Sequence, residues 1–451
     1  MLMNDLHEIR VPGDPHPSPF LRARLPGGLT LLVKPVRTLP LVAVDAWIGV
    51  GASHEPSGLE GIAHFLEHMF FKGTSAHPVG EMDALVKEMG GYNNAATSLE
   101  NTHYFIVAPS PRFETALGLL ADALGNLALP EPELDREREV VKEEIRRKED
   151  SPSGRLYSIL SETALAGTPY GHSVLGTTES LDRIGRPEMQ AFWRRHYGTA
   201  NTVVSVVGDV EPAAVVASVR AAFEHVQPGE RSRLPPFRPP AARRAELRER
   251  KDVRQTYFAV TAPTPGREDA RSFHALELAS LVLGDGPTSL LSRRLERELN
   301  LVTAVSAWSY DLAGAGLVGV DAVCEPELAP RVLDEVDSVL RHAVAGAITP
   351  AAVERAKRIL LSDFAFDNET AASISGTLAE FELLFGAAER FSGYLEGVQA
   401  VTAADCVEVL ESFFSPSRRL TVIVEPSDED HAPSRLEAAT ATAAAGPPAT
   451  P

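Results

Sequence analysis

The chain has 451 residues, 44% hydrophobic and 23% charged, the balance of an ordinary globular protein with room for roughly two to four domains. Its net charge of −19 argues against a polyanionic partner such as nucleic acid and suits basic or mixed peptides. Two cysteines far apart, Cys324 and Cys406, exclude a disulfide framework and a thiolate metal site, and no run is apolar enough to span a bilayer.

Residues 1–20 are rich in proline and polar groups, lack the apolar core of a secretory signal, and read as a flexible arm of a cytoplasmic protein. Arg22–Leu25 and Leu29–Val33, separated by Gly27-Gly28, form a β-hairpin pattern, and Leu41–Val50 is a longer apolar strand. A helix bearing His64-Phe-Leu-Glu-His68, a second over Glu81–Met89, a strand over Thr102–Val107 and an amphipathic helix over Arg112–Leu127 follow. Pro132–Glu149 is a highly charged helix whose buried stripe is Leu134, Val140, Val141 and Ile145. Further helices (Tyr157–Ala166, Pro187–His196, Pro212–Phe223) and the buried strand Asn201–Gly208 complete a first domain spanning 21–226. The proline- and arginine-rich stretch 227–250 is a linker. A second domain, 251–426, repeats the order strand, helix, strands, helices and a last strand at Leu420–Val424. The expected fold class is therefore α+β, two homologous α/β domains from a tandem duplication, with a disordered tail over 427–451.

The chemistry concentrates in His64-Phe-Leu-Glu-His68. On a helix the two imidazoles lie one turn apart on one face and can reach one metal ion, while Glu67 sits beside His64, where its carboxylate can take a proton from metal-bound water. This inverts the familiar His-Glu-x-x-His peptidase helix. Burying both imidazoles and a carboxylate among Phe65, Leu66, Met69 and Phe70 costs several kcal/mol unless something pairs them, and a metal does so. A third ligand must come from elsewhere. The acidic helix offers Glu137, Glu139, Glu143, Glu144 and Glu149, although a charged helical run by itself is more often a solvated face. Glu137 and Glu144, seven apart, share a face, so that one can bind metal while the other hydrogen-bonds a ligand imidazole.

Several stretches together resemble the pitrilysin-like (M16) zinc metallopeptidases, specifically the short bacterial type related to mitochondrial processing peptidase subunits. They are Gly61-Ile-Ala-His-Phe-Leu-Glu-His-Met-Phe-Phe-Lys-Gly-Thr74, Gly90-Gly-Tyr-Asn-Asn-Ala-Ala-Thr97, Glu137-Arg-Glu-Val-Val-Lys-Glu-Glu-Ile145 and Pro169-Tyr-Gly-His-Ser-Val-Leu-Gly-Thr177. The resemblance implies one Zn2+ per chain held by His64, His68 and Glu144, with Glu137 as the supporting acid and Glu67 as general base. It also implies that Asn94, Ala95, Ala96 and Thr97 form an exposed strand edge to which a peptide substrate adds its backbone. Small side chains after a Gly-Gly turn fit that role, though they also fit an ordinary loop.

One part of the family pattern is missing. Members with a complete site carry an Arg and a Tyr, seven apart, in the second half; here those positions fall on Glu296 and Thr303 within Thr288–Thr303. The resemblance then implies the metal-bearing subunit of a heterodimer whose homologous partner supplies the Arg/Tyr pair. A self-sufficient homodimer is the alternative, and a non-catalytic scaffold subunit fits less well because His64, Glu67, His68 and Glu144 are all intact.

Overall fold

The computed structural model describes Leu6–Ile9 and residues 19–427. The first half runs β1 (Leu6–Ile9), β2 (Phe20–Arg24), β3 (Thr30–Pro35), β4 (Leu41–Ile48), α1 (Ile62–Phe70), α2 (Glu81–Glu88), β5 (Tyr92–Thr97), β6 (Thr102–Pro109), α3 (Phe113–Asn126), α4 (Glu131–Asp150), α5 (Pro152–Ala164), α6 (Thr178–Arg183), α7 (Arg186–His196), β7 (Thr202–Gly208) and α8 (Pro212–Ala222). The second runs β8 (Ala245–Lys251), β9 (Thr256–Thr264), α9 (Ala270–Gly284), β10 (Ala304–Asp311), β11 (Gly316–Cys324), α10 (Ala329–His342), α11 (Pro350–Asp367), α12 (Ala371–Phe385), α13 (Arg390–Ala400), α14 (Ala403–Phe413) and β12 (Leu420–Pro426).

The first sheet has the order β1-β2-β3-β7-β4-β6-β5, the second β10-β11-β9-β12-β8. Read from the other edge, the second is β8-β12-β9-β11-β10, and it repeats β3-β7-β4-β6-β5 strand for strand. The pairing sense agrees as well: β3/β7 and β8/β12 are parallel, the remaining matched pairs antiparallel. The duplication expected from element order is thus present in the topology.

Central strands β4 and β7 read Leu-Val-Ala-Val-Asp-Ala-Trp-Ile and Thr-Val-Val-Ser-Val-Val-Gly, almost wholly buried because helices cover both faces of the sheet. One face carries α1, α3, α7 and α8; the other is covered by α12, which comes from the second half. Ile374, Leu378 and Ala379 of α12 pack on Leu32, Trp47, Val203 and Val207. Arg22 on β2 pairs with the buried Glu382 of α12 at 2.5 Å. The exchange is reciprocal. A break at Ser151, whose Oγ caps α5 by accepting from Gly154 N–H at 3.2 Å, redirects the chain so that α5 crosses to the second sheet. There Leu156, Leu160 and Ala164, four residues apart, pack on Ala259, Leu317, Val422 and Val424.

Two boundaries differ from the sequence reading. Ala245–Lys251, inside the stretch read as linker, is β8, paired parallel to β12. Its sequence Ala-Glu-Leu-Arg-Glu-Arg-Lys carries the charges of an exposed edge strand, which hides the strand signal. Within the arm, Leu6–Ile9 pairs antiparallel with β2. The rest of the arm up to Ser18, and the tail beyond Ser427, lie outside the described residues.

Candidate metal centre and active site

Helix α1 buries Ile62, Ala63, Phe65, Leu66, Met69 and Phe70 and turns His64, Glu67 and His68 to its remaining face. Its first turn is held by residues that the motif does not reveal. Gly61, at φ 94°, starts the helix, and a Cβ there would meet Leu175 O at 2.6 Å. A Cβ on Gly176 would meet Glu60 O at 2.1 Å, so the two glycines let residues 169–177 lie flush against the helix entrance. The buried Glu55 accepts from Gly61 N–H and Ala63 N–H, both at 2.8 Å, satisfying donors that the helix leaves open.

Opposite α1, helix α4 presents Glu137 and Glu144 two turns apart. Glu144 Oε2 lies 3.7 Å from His64 Nε2 and 3.6 Å from His68 Nε2. Ligand atoms of these three residues all fall within 4.8 Å of one another. Such spacings are too long for hydrogen bonds, yet close to the roughly 3.4 Å edge of a tetrahedron with metal–ligand bonds near 2.1 Å. Burial and the neighbouring His68 push His64 down to about 4, so it stands as the neutral imidazole a metal requires. Its Nδ1 is buried without a hydrogen-bond partner among the described residues. The donor set fits a divalent ion such as zinc.

Glu137 is 3.0 Å from His68 Nδ1 and 2.6 Å from Lys72 Nζ. Burial alone would raise its pKa, but these contacts outweigh it and hold the carboxyl below its ordinary value. A carboxylate on Nδ1 fixes the His68 tautomer with Nε2 turned towards Glu144. Of the other acids offered by α4, Glu139 pairs with Lys142, Glu143 with Arg146 and Glu149 with Arg155.

Among the described residues, strand β5 is the free edge of the first sheet, paired with β6 alone. Asn94, Ala95, Ala96 and Thr97 all lie on it, so the loop alternative falls away. Thr97 has a second role that its position in the motif does not disclose: its hydroxyl donates to Glu67 Oε2 at 2.7 Å. Burial raises the Glu67 carboxyl above its ordinary value, offset in part by that hydrogen bond. Ala95 N–H is taken up by the Asn94 side chain at 2.9 Å. Just beyond β5, the buried Glu100 accepts from Tyr170 O–H at 2.7 Å, from Ala313 N–H at 2.8 Å and from Arg267 Nη1 at 2.6 Å. Arg267 also holds Asp311 at 2.8 Å. This cluster pins the end of the edge strand to the second half.

Comparison with known proteins decides the family. Residues 36–178 match the profile described as Insulinase (Peptidase family M16), and residues 183–360 match Peptidase M16 inactive domain. The chain belongs to peptidase family M16. An uncharacterized zinc protease of Streptomyces coelicolor is 28% identical over 431 residues, covering 93% of this chain and 92% of the relative. A zinc protease of Helicobacter pylori is 28% identical over 410 residues, covering 89% and 92%. The crystal structure of a protease from Helicobacter pylori superposes with a TM-score of 0.84 at 28% identity over 90% of this chain and 99% of that one. A Pseudomonas fluorescens M16 inactive-domain structure, at 18% identity and TM-score 0.83, shares the fold.

Within this M16 chain, the expected Arg and Tyr positions are occupied by Glu296 and Thr303. Glu296 lies in the π-helical turn Ser292–Glu298, and the Thr303 hydroxyl accepts from Gln255 Nε2 at 2.9 Å. Neighbouring arginines are occupied locally: Arg293 and Arg294 approach Glu298, Arg294 pairs with Glu335, and Arg297 bonds Pro287 O. Among the described residues, no helix is long and apolar enough to cross a membrane.

Proposed function

We propose that this chain is the metal-bearing subunit of a zinc endopeptidase acting on peptides or unfolded polypeptides. The observation that carries the reading is the joint placement of His64, His68 and Glu144, with ligand atoms within 4.8 Å of one another, the two histidines on the helix face that also carries Glu67, and Thr97 tying Glu67 to the open edge β5. A zinc ion held there supplies, when bound, a Lewis acid and a water of lowered pKa.

The chain's own residues supply the rest. An extended substrate adds to β5, displacing the Asn94 side chain from Ala95 N–H, and its main-chain hydrogen bonds hold it with little regard to sequence. Thr97 fixes one oxygen of Glu67, leaving the other Glu67 oxygen to take a proton from the attacking water as the water oxygen adds to the scissile carbonyl carbon. Glu67 then returns the proton to the departing amine, which completes cleavage of the C–N bond. Glu137 and Lys72 keep His68 oriented throughout.

The homologous partner belongs to the same proposal. Glu296 and Thr303 stand where an Arg and a Tyr would contact substrate, which favours a sister subunit that provides them. Cleavage of an unfolded peptide is to be measured for the zinc-loaded chain alone, for the chain co-expressed with a homologous subunit, and for both with Glu67→Gln. Full activity is expected only in the pair, and Glu67→Gln should lower it by about 10²–10⁴-fold with zinc content unchanged. Full activity of the lone chain would overturn the partner assignment; unchanged cleavage by Glu67→Gln would overturn the base.

A further inference from the structure

Between the two halves lies a cavity of about 480 Å³ that the chemistry above does not use. Its first-half wall is the end of β5 with Trp47 and His103. Ala96 is opposite His103, and His103 opposite Trp47, across the ladder, so these side chains share one face of the sheet. Thr97, the next residue, turns to the other face, where it meets Glu67. A substrate strand lying along β5 alternates in the same way. If one of its residues faces Glu67, its neighbour faces this cavity.

In the second-half wall, α9 contributes Phe273 and Glu277, and α12 contributes Glu380 and Phe381. By topology α9 is the counterpart of α1, since each follows the matched strand β9 or β4 and precedes β10 or β5. Its His274-Ala-Leu-Glu277-Leu278 repeats His64-Phe-Leu-Glu67-His68 without the second histidine, so Glu277 stands where the first half has Glu67. Glu277 Oε1 accepts from Tyr394 O–H at 2.6 Å, but Oε2 is buried without a hydrogen-bond partner among the described residues. Burial pushes this carboxyl up to about 7. Tyr394 is itself packed among rings, with Phe381 at 5.9 Å, Phe273 at 6.1 Å and Phe364 at 6.3 Å between centroids.

Charge in the cavity is unbalanced. Glu100, Glu277, Asp311 and Glu380 line it against one arginine, Arg267, which is spent on Glu100 and Asp311. Glu277 and Glu380 have no ion-pair partner among the described residues. A wall of aromatic faces with acidic side chains left over is the chemistry that receives a guanidinium or ammonium group, whose positive charge favours the ionised form of those acids.

We propose that this cavity is a specificity subsite for a cationic group of the substrate next to the cleaved bond, either an arginine or lysine side chain or the free N-terminal ammonium. The inference rests on the peptidase reading for its position beside the scissile bond, while its test does not need cleavage. Full-length, zinc-loaded Glu67→Gln chain is titrated with fluorescent, unstructured alanine/serine peptides carrying a single arginine or, in its place, the neutral isostere citrulline. Each peptide is used with a free and an acetylated N-terminus.

The arginine peptide should bind at least about tenfold more tightly than the citrulline peptide. Adding Glu277→Gln and Glu380→Gln should erase that ratio. Glutamine at position 277 keeps an acceptor for Tyr394, and Phe381→Leu, which removes a ring and no charge, should reduce the ratio part-way. An affinity lost on acetylation, with citrulline tolerated, assigns the subsite to the N-terminal ammonium. Equal affinity for all four peptides, or a ratio unmoved by the double glutamine variant, would overturn the subsite. If the arginine preference holds while chain with Glu67 intact cleaves nothing even with its partner, the peptidase reading fails and the subsite stands.

Discussion

His68 shows how far a single residue's role depends on groups distant in sequence. Its i, i+4 relation to His64 is written in the motif, but the orientation of its ring is set by Glu137 and, through it, by Lys72. Removing that support with Glu137→Gln is expected to weaken zinc affinity about 10–100-fold while leaving the ligands in place, as measured by competition with a chromophoric chelator. An affinity equal to that of the natural chain would mean that Glu137 is incidental. Lys72→Met should act in the same direction and less strongly. That His64, Glu67 and His68 share one face of α1 was legible because helical spacing converts directly into a shared face. Glu55, Thr97 and Glu100 were not, since each works by meeting a segment that only the fold brings near. Thr97 was expected on a strand edge open to a peptide backbone, and it lies on that edge, but nothing in the sequence told that its hydroxyl also donates to Glu67.

Elements follow the same logic. The amphipathic pattern of α5 is readable in Leu156, Leu160 and Ala164, but nothing in that spacing says which sheet it covers. Its burial on β9 and β12 of the other half, mirrored by α12 on β4 and β7, makes the sequence halves interlock. Leu160→Ala should therefore cost about 2–5 kcal/mol in denaturant unfolding. Its loss of hydrogen-exchange protection should fall on β9 and β12 rather than on the first sheet. Leu378→Ala on α12 should expose β4 and β7 instead. Protection lost only within the mutated residue's own half would contradict the exchange. The edge strand β8 escaped sequence reading for a related reason: an outer strand needs one partner and little apolar surface, so its charges look like those of a linker.

At the scale of the whole molecule, buried acids between the halves tie stability to pH. Glu277 is raised from an ordinary 4.5 to about 7, so the folded chain favours its protonated form. Its contribution is then complete below the unfolded carboxyl's pKa and is lost as pH climbs through about 7, the reverse of an ion-paired carboxylate. Unfolding free energy of the chain should fall between pH 5 and pH 8 by up to about 3 kcal/mol more than that of Glu277→Gln. Parallel pH profiles would show that Glu277 is not the group responsible. Zinc should stabilise the chain in proportion to its free concentration, by about 2.7 kcal/mol at a hundredfold excess over Kd, and a chelator should reverse this.

The proposed chemistry depends on one metal centre built from α1 and α4, and zinc X-ray absorption spectroscopy of the purified chain tests that centre most directly. One ion per chain is expected, with two imidazole nitrogens and one carboxylate oxygen among its ligands, and with binding lost in His64→Ala, His68→Ala and Glu144→Ala but retained in Glu67→Gln. A coordination shell without imidazole, or full zinc occupancy in Glu144→Ala and His68→Ala alike, would contradict it.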